Sequence, residues 1–237
     1  MKILVIIPCY NEQENILDTV QNLKAHCPEV DCLVVNDCST DNSENILKEN
    51  NIPYISFPCN LGIGGGVQAG YVYAKQNGYD VTIQMDGDGQ HDPAFLRTVI
   101  QPILDGTTDM SIGSRFLEKK GFQTSFARRM GIRLLSILIY LLTGKKVLDV
   151  TSGYRACNRA LTEFYAHSYA QDYPEPEAII AAVLNGFRVQ EVPVEMKERQ
   201  GGVSSIRAFS SVYYMIKVSI SLLVYRLVLV DKGGARK

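Results

Sequence analysis

Two carboxylates one residue apart, Asp86 and Asp88 in Met85-Asp86-Gly87-Asp88-Gly89-Gln90-His91-Asp92-Pro93, stand where an apolar run ends abruptly. If that run is a strand of an α/β sheet, the pair lies at its carboxyl end, where such sheets bind ligands. Hard oxygen donors there suit Mg²⁺ or Mn²⁺, which bind through one or two carboxylates and complete their shell with water and phosphate oxygens. A metal so placed offsets the charge of a departing diphosphate. An EF-hand is excluded, because neither the loop length nor the closing Glu is present. Asp92, directly before Pro93, reads as a helix cap.

A second run, Val34-Val35-Asn36-Asp37-Cys38-Ser39-Thr40-Asp41, also leads from strand residues into acidic and hydroxyl groups. Asp41 reads as the N-cap of the next helix, whereas Asp37, at the strand end, is placed to accept hydrogen bonds from a nucleobase or ribose. Pro8, Tyr10 and Glu12 end the first strand and line the same crevice. The glycines of Asn60-Leu61-Gly62-Ile63-Gly64-Gly65-Gly66 lack the Lys-Ser/Thr of a P-loop, so they read as close packing of a helix on the sheet beneath the nucleotide.

From Arg115 to Lys146 the chain is basic, with Arg115, Lys119, Lys120, Arg128, Arg129, Arg133, Lys145 and Lys146 set against Glu118. Guanidinium groups bind phosphate oxygens bidentately, which favours a phosphate acceptor; a solvated charged face is the plain alternative. The neighbouring apolar segment Leu134 to Leu142 gives this region the pattern of an interfacial membrane-binding element. Glu175 and Glu177 read as acidic groups at a helix N-terminus, or as candidate bases if the acceptor is a hydroxyl.

Positioning these groups requires alternating strands and helices. Strands are predicted at Ile3 to Ile7, Cys32 to Asn36, Tyr54 to Phe57, Asp80 to Met85, Met110 to Gly113 and Phe187 to Val194. Helices are predicted at Glu14 to His26, Asp41 to Glu49, Gly65 to Gln76, Pro93 to Leu104, Phe126 to Leu142, Pro176 to Leu184 and Phe209 to Val228. The pattern predicts a mostly parallel central sheet flanked by helices, with a C-terminal amphipathic or apolar helix. The domain expected is 1–207, its halves 1–113 and 114–207 binding donor and acceptor, followed by a helical tail over 208–237. A formal net charge of -1 gives no reason to expect nucleic acid as a partner. Six cysteines without a CxxC pair read as reduced structural thiols of a cytoplasmic protein.

Together, Pro8-Cys9-Tyr10-Asn11-Glu12, Asn36-Asp37-Cys38-Ser39-Thr40-Asp41, Asn60-Leu61-Gly62 and Asp86-Gly87-Asp88-Gly89-Gln90-His91 resemble family 2 glycosyltransferases of the GT-A, Rossmann-like fold. Gly113-Ser114-Arg115, Asp149 to Arg155, Glu191 to Val194 and Arg199 to Ser205 resemble its branch of dolichyl-phosphate mannosyltransferases and polyprenyl-phosphate glycosyltransferases. The resemblance implies nucleotide binding by Pro8, Tyr10, Glu12, Asp37, Gly62 and Asp86, and metal ligation by Asp86, Asp88 and Gln90. It further implies that Arg115, Arg129, Arg199 and Ser204 gather around donor and acceptor phosphates. Asn36 stands where the family often has Asp, which leaves Asp37 as the base contact; Gly87 and Gly89 stand where Ala and Leu are common, which predicts a looser metal loop.

The activity expected is inverting transfer from a UDP- or GDP-sugar to a polyprenyl phosphate, by an enzyme peripheral to the cytoplasmic membrane face. Transfer to a saccharide hydroxyl, nucleotidyl transfer and a non-catalytic scaffold are the competing readings. Self-association through the apolar last helix is a further expectation. Sugar and base are not encoded legibly in these motifs.

Overall fold

The computed structural model describes residues 1–118, 120, 126–197 and 208–234. The first half alternates β1 (Ile3–Cys9), α1 (Ile16–His26), β2 (Asp31–Asn36), α2 (Ser43–Glu49), β3 (Tyr54–Ser56), α3 (Gly62–Gln76) and β4 (Val81–Gln84). A single 3₁₀ turn, Pro93–Phe95, leads into α4 (Leu96–Leu104) and β5 (Met110–Ser114). Then come α5 (Phe126–Thr143), β6 (Arg155–Asn158), α6 (Arg159–His167), α7 (Pro174–Leu184), β7 (Val189–Pro193) and α8 (Ala208–Gly234).

The seven strands form one sheet in the order β3-β2-β1-β4-β6-β5-β7. Its pairs are parallel except those that β6 makes with β4 and β5. Both halves expected from the sequence thus contribute strands to the same sheet. Period-two alternation splits the core: Leu4 and Ile6 face Val67 and Tyr71 of α3 together with α6 and α7, while Val5 and Ile7 face α1 and α4. Burying both faces explains why the strands are continuous apolar runs.

Two elements depart from the sequence reading: β6 and α6 carry no predicted element. Four residues that begin with arginine do not read as a strand, yet β6 pairs on both sides at the centre of the sheet. Arg155 is fully buried there, its guanidinium donating to the carbonyls of Ser152 and Glu175. Asn158 then caps α6 by accepting from the Leu161 N–H at 2.9 Å. The glycine-rich run serves two neighbours rather than the sheet alone. A Cβ on Gly70 would lie 2.3 Å from Ile6, and one on Gly64 would lie 2.1 Å from the Ala170 carbonyl oxygen.

Candidate active site

The strand order reverses direction at β1: the chain runs outward to β2 and β3, then returns to β4 on the other side. The carboxyl ends of β2, β1 and β4 therefore frame a crevice at a topological switch point. The Asp37 N–H donates to the Cys9 carbonyl at 2.9 Å, and a Cβ on Gly87 would lie 3.0 Å from the Pro8 carbonyl. Pro8, Asp37 and the loop after β4 are thus brought together as expected. Tyr10 emerges half-exposed at the same edge, followed by Asn11 in left-handed conformation with φ 56°. Glu12 accepts from Asn15 Nδ2 at 2.8 Å, and its own N–H donates to Ser43 Oγ at 3.0 Å.

Asp37 is buried, and its two oxygens accept from the Leu61 N–H at 2.7 Å and the Gly62 N–H at 2.8 Å. The carboxylate thus caps α3, whose positive end favours an anion. Gly62 holds φ +77°, which a side chain disfavours. The sequence placed Asp37 against a nucleotide; in the structure these short bonds tie it first to the helix start.

The loop after β4 is pinned on several sides. Gln84 Nε2 donates to Asp86 Oδ1 at 3.1 Å, the Gln90 N–H donates to Asp88 Oδ1 at 3.1 Å, and the Lys197 N–H donates to the Gln90 carbonyl at 2.9 Å. His91 is buried and accepts through Nδ1 from the Asp86 N–H at 2.9 Å, so a neutral ring carries its proton on Nε2, 3.7 Å from Asp86 Oδ2. Its ring stacks on Tyr154 with centroids 4.8 Å apart. Tyr154 in turn donates to the Asp92 carbonyl at 3.1 Å, and Asp92 caps the following turn through Ala94 as expected. Gly89 occupies φ +76° and Gly87 abuts Pro8, so the glycines fit positions of tight backbone geometry.

No group of three or more His, Cys, Asp or Glu among the described residues is arranged to hold a metal. Two carboxylates and an amide oxygen nevertheless fit Mg²⁺ or Mn²⁺, which retain water and phosphate ligands, better than they fit a closed structural site. Asp86 remains partly exposed, its side chain open at 36% despite the contacts that hold it.

Arg115 and Arg129 diverge. Arg115, expected at a phosphate, is buried and forms a bidentate pair with Asp149, Nε to Oδ2 at 2.7 Å and Nη2 to Oδ1 at 2.6 Å. Glu191 completes that arrangement by accepting from the Leu148 and Asp149 N–H groups, both at 2.8 Å. Arg129 is exposed on the first turns of α5. Arg199 and Ser204 lie outside the described residues. Glu175, at the start of α7, has its carboxyl raised above the usual range by burial; Arg155 opposes that shift, Asp86 reinforces it, and Arg128 opposes it. The thiol of Cys9 at the end of β1 is pushed up to about 12 by burial, consistent with a structural role.

Sequence reasoning missed Gln84, Gly153 and the His91–Tyr154 stack. A glutamine breaking an apolar strand two residues before the first carboxylate was the available signal.

Residues 4–165 match the family described as Glycosyl transferase family 2. Polyprenol monophosphomannose synthase of Mycolicibacterium smegmatis is 31% identical over 226 residues, covering 91% of this chain and 85% of that protein. UDP-N-acetylglucosamine–dolichyl-phosphate N-acetylglucosaminyltransferase of Methanococcus voltae is 32% identical over 213 residues, covering 81% of this chain and 84% of that one. Among solved structures, glucosyl-3-phosphoglycerate synthase from Mycobacterium tuberculosis, in complex with Mn²⁺, UDP and phosphoglyceric acid, gives a TM-score of 0.70 at 20% identity. That match covers 95% of this chain and 78% of the other, and it confirms the GT-A fold.

Proposed function

This chain belongs to glycosyl transferase family 2, and we propose that it is a metal-dependent, inverting enzyme moving a sugar from a UDP- or GDP-sugar to a polyprenyl phosphate such as undecaprenyl or dolichyl phosphate. The observation that carries the reading is the pinned Asp86–Asp88–Gln90 loop at the switch point of the sheet. Mg²⁺ or Mn²⁺ held by these three residues would offset charge on the leaving nucleoside diphosphate.

Tyr10 offers a ring at the crevice mouth for the base. Pro8 and Glu12 shape the crevice, while Asp37 and Gly62 set the start of α3 beneath it. A phosphate acceptor is already anionic near neutral pH and needs positive charge to hold it in line rather than a base to deprotonate it. Arg129 supplies that charge in this reading; Arg199 and Ser204, which the family resemblance assigns to the same phosphates, lie outside the described residues. Arg115 acts from behind by fixing Asp149 and so the turn that leads to Gly153 and Tyr154.

The lipid part of the acceptor calls for an apolar approach. α5 and α8 pack together: a Cβ on Gly131 would lie 3.1 Å from Met215 Sδ. Both helices expose large apolar side chains, among them Leu134 and Leu141 on α5 and Ile220 and Leu227 on α8. Arg128, Arg129, Arg133, Lys145 and Lys146 flank the α5 face. No helix among the described residues is long and apolar enough to cross a membrane. The exposed apolar and basic side chains of α5 support a reading of peripheral attachment at the cytoplasmic membrane face, with arginines at the lipid phosphates.

The test is a panel of UDP- and GDP-sugars with Mn²⁺, offered detergent-dispersed undecaprenyl phosphate or soluble saccharides. Sugar extracted with the lipid supports the reading, and transfer to saccharide alone overturns it.

A further inference from the structure

β4 presents Val81 and Ile83 to one core, joined by Met85 just after the strand, so Thr82 and Gln84 share the opposite face. Thr82 is accounted for, since its hydroxyl meets that of Thr162 on α6 at 2.8 Å. Gln84 is not explained by packing. It is 1% exposed, its Nε2 donates to Asp86 Oδ1 at 3.1 Å, and its Oε1 is buried without a hydrogen-bond partner. A methionine or leucine here would bury as much without an orphaned acceptor, so for stability alone an amide is the poorer choice.

The opposite wall of the same space is backbone. A Cβ on Gly153 would lie 2.9 Å from Gln84 Nε2 and 3.0 and 3.1 Å from the two oxygens of Asp86. Gly153 is held there by its neighbours. Ser152 donates to the Gly113 carbonyl at 2.6 Å, the buried guanidinium of Arg155 binds the Ser152 carbonyl, and Tyr154 stacks on His91. The carboxylate of Asp86 is thus bounded by an amide on one oxygen, an imidazole near the other and a glycine below.

We propose that Gln84 is a positioning residue for the metal carboxylate: its amide fixes the rotation of Asp86 against the Gly153 wall, so that the oxygens meet a divalent ion in one orientation. The inference rests on the metal reading given above. Groups that orient a ligand in this way typically change metal affinity by about 10–100-fold when removed. Gln84→Met therefore lowers Mn²⁺ affinity by about that factor while leaving the thermal midpoint equal to or above that of the unaltered protein. Gly153→Ala reaches the same carboxylate from the other side and also lowers affinity.

The experiment is Mn²⁺ titration of the full chain with saturating UDP, and separately GDP, followed by the electron-paramagnetic resonance of free Mn²⁺, alongside melting curves. Weakened Mn²⁺ uptake in Gln84→Met at an unlowered midpoint supports the proposal. Unchanged uptake in a folded Gln84→Met overturns it, as does weakened uptake that comes with a lowered midpoint, which is what packing alone predicts. If Gln84→Met does not fold, a folded Gln84→Leu decides by the same criterion of uptake. Absence of Mn²⁺ uptake by the unaltered protein with either nucleotide overturns the metal reading, and this proposal with it.

Discussion

Replacing Asp37 by asparagine separates a helix cap from a nucleotide contact, and the structure sets the size of the effect. Both carboxylate oxygens accept backbone N–H groups of the α3 start, at 2.7 and 2.8 Å, from a side chain that is 5% exposed. Asparagine keeps one carbonyl oxygen and turns an amide N–H₂ toward the second N–H. One charge-assisted bond, with a contribution of about 1.5–3 kcal/mol, is lost, and the other weakens to a neutral bond contributing about 1 kcal/mol. A net loss of about 3 kcal/mol corresponds to a drop of roughly 6–12 °C in the midpoint of a chain this long. The assay is a pair of melting curves by circular dichroism, with calorimetric titration of UDP and GDP on both proteins. A midpoint unchanged to within about a degree, with nucleotide affinity down about tenfold or more, would refute the cap and leave Asp37 as a ligand contact only.

Arg115→Ala leaves Asp149 charged and without its bidentate partner at a buried site, which is expected to destabilise the fold by about 3–5 kcal/mol in chemical denaturation; an effect under about 1 kcal/mol would return Arg115 to the role of a phosphate ligand. Leu141→Asp, at a side chain 73% exposed on α5, is expected to weaken sedimentation with anionic phospholipid vesicles about tenfold or more. Unchanged vesicle binding, with a fall from dimer to monomer mass in solution, would instead make this face a contact between copies of the chain. Glu175→Gln tests a pH dependence whose sign is fixed by burial. Because burial raises the folded carboxyl above its ordinary 4.5, the charged form destabilises the fold, and wild-type stability falls as pH climbs from 4.5 through the raised value. The variant should therefore match the wild type at about pH 4 and melt higher at about pH 7.5; an equal or lower midpoint at the higher pH contradicts this.

Much of the fold was legible because β1, β2 and β4 are buried on both faces, leaving apolar runs that end in polar loops. The same feature exposed Asp86, Asp88 and Asp37, since chemistry-bearing residues stand where those runs stop. β6 was not legible: it is short, and its arginine is satisfied by carbonyls contributed from Ser152 and Glu175, an arrangement that no local pattern announces. Arg115 illustrates the converse. Its residue type invited a phosphate, and only the approach of Asp149, 34 positions away, shows the guanidinium already engaged. The left-handed backbone of Gly89 was not legible either, being a property of the folded loop rather than of neighbouring residues.

In the proposed reaction the acceptor is held as an anion and the leaving diphosphate is held at Asp86, Asp88 and Gln90. The most direct measurement offers an accepted nucleotide-sugar and Mn²⁺ to the enzyme with undecaprenyl phosphate, and in parallel with undecaprenol, its neutral alcohol. A sugar-linked lipid is expected from the phosphate alone, with that product lost in a folded Asp88→Ala variant. Comparable transfer to undecaprenol, or transfer undiminished in Asp88→Ala, would contradict that expectation.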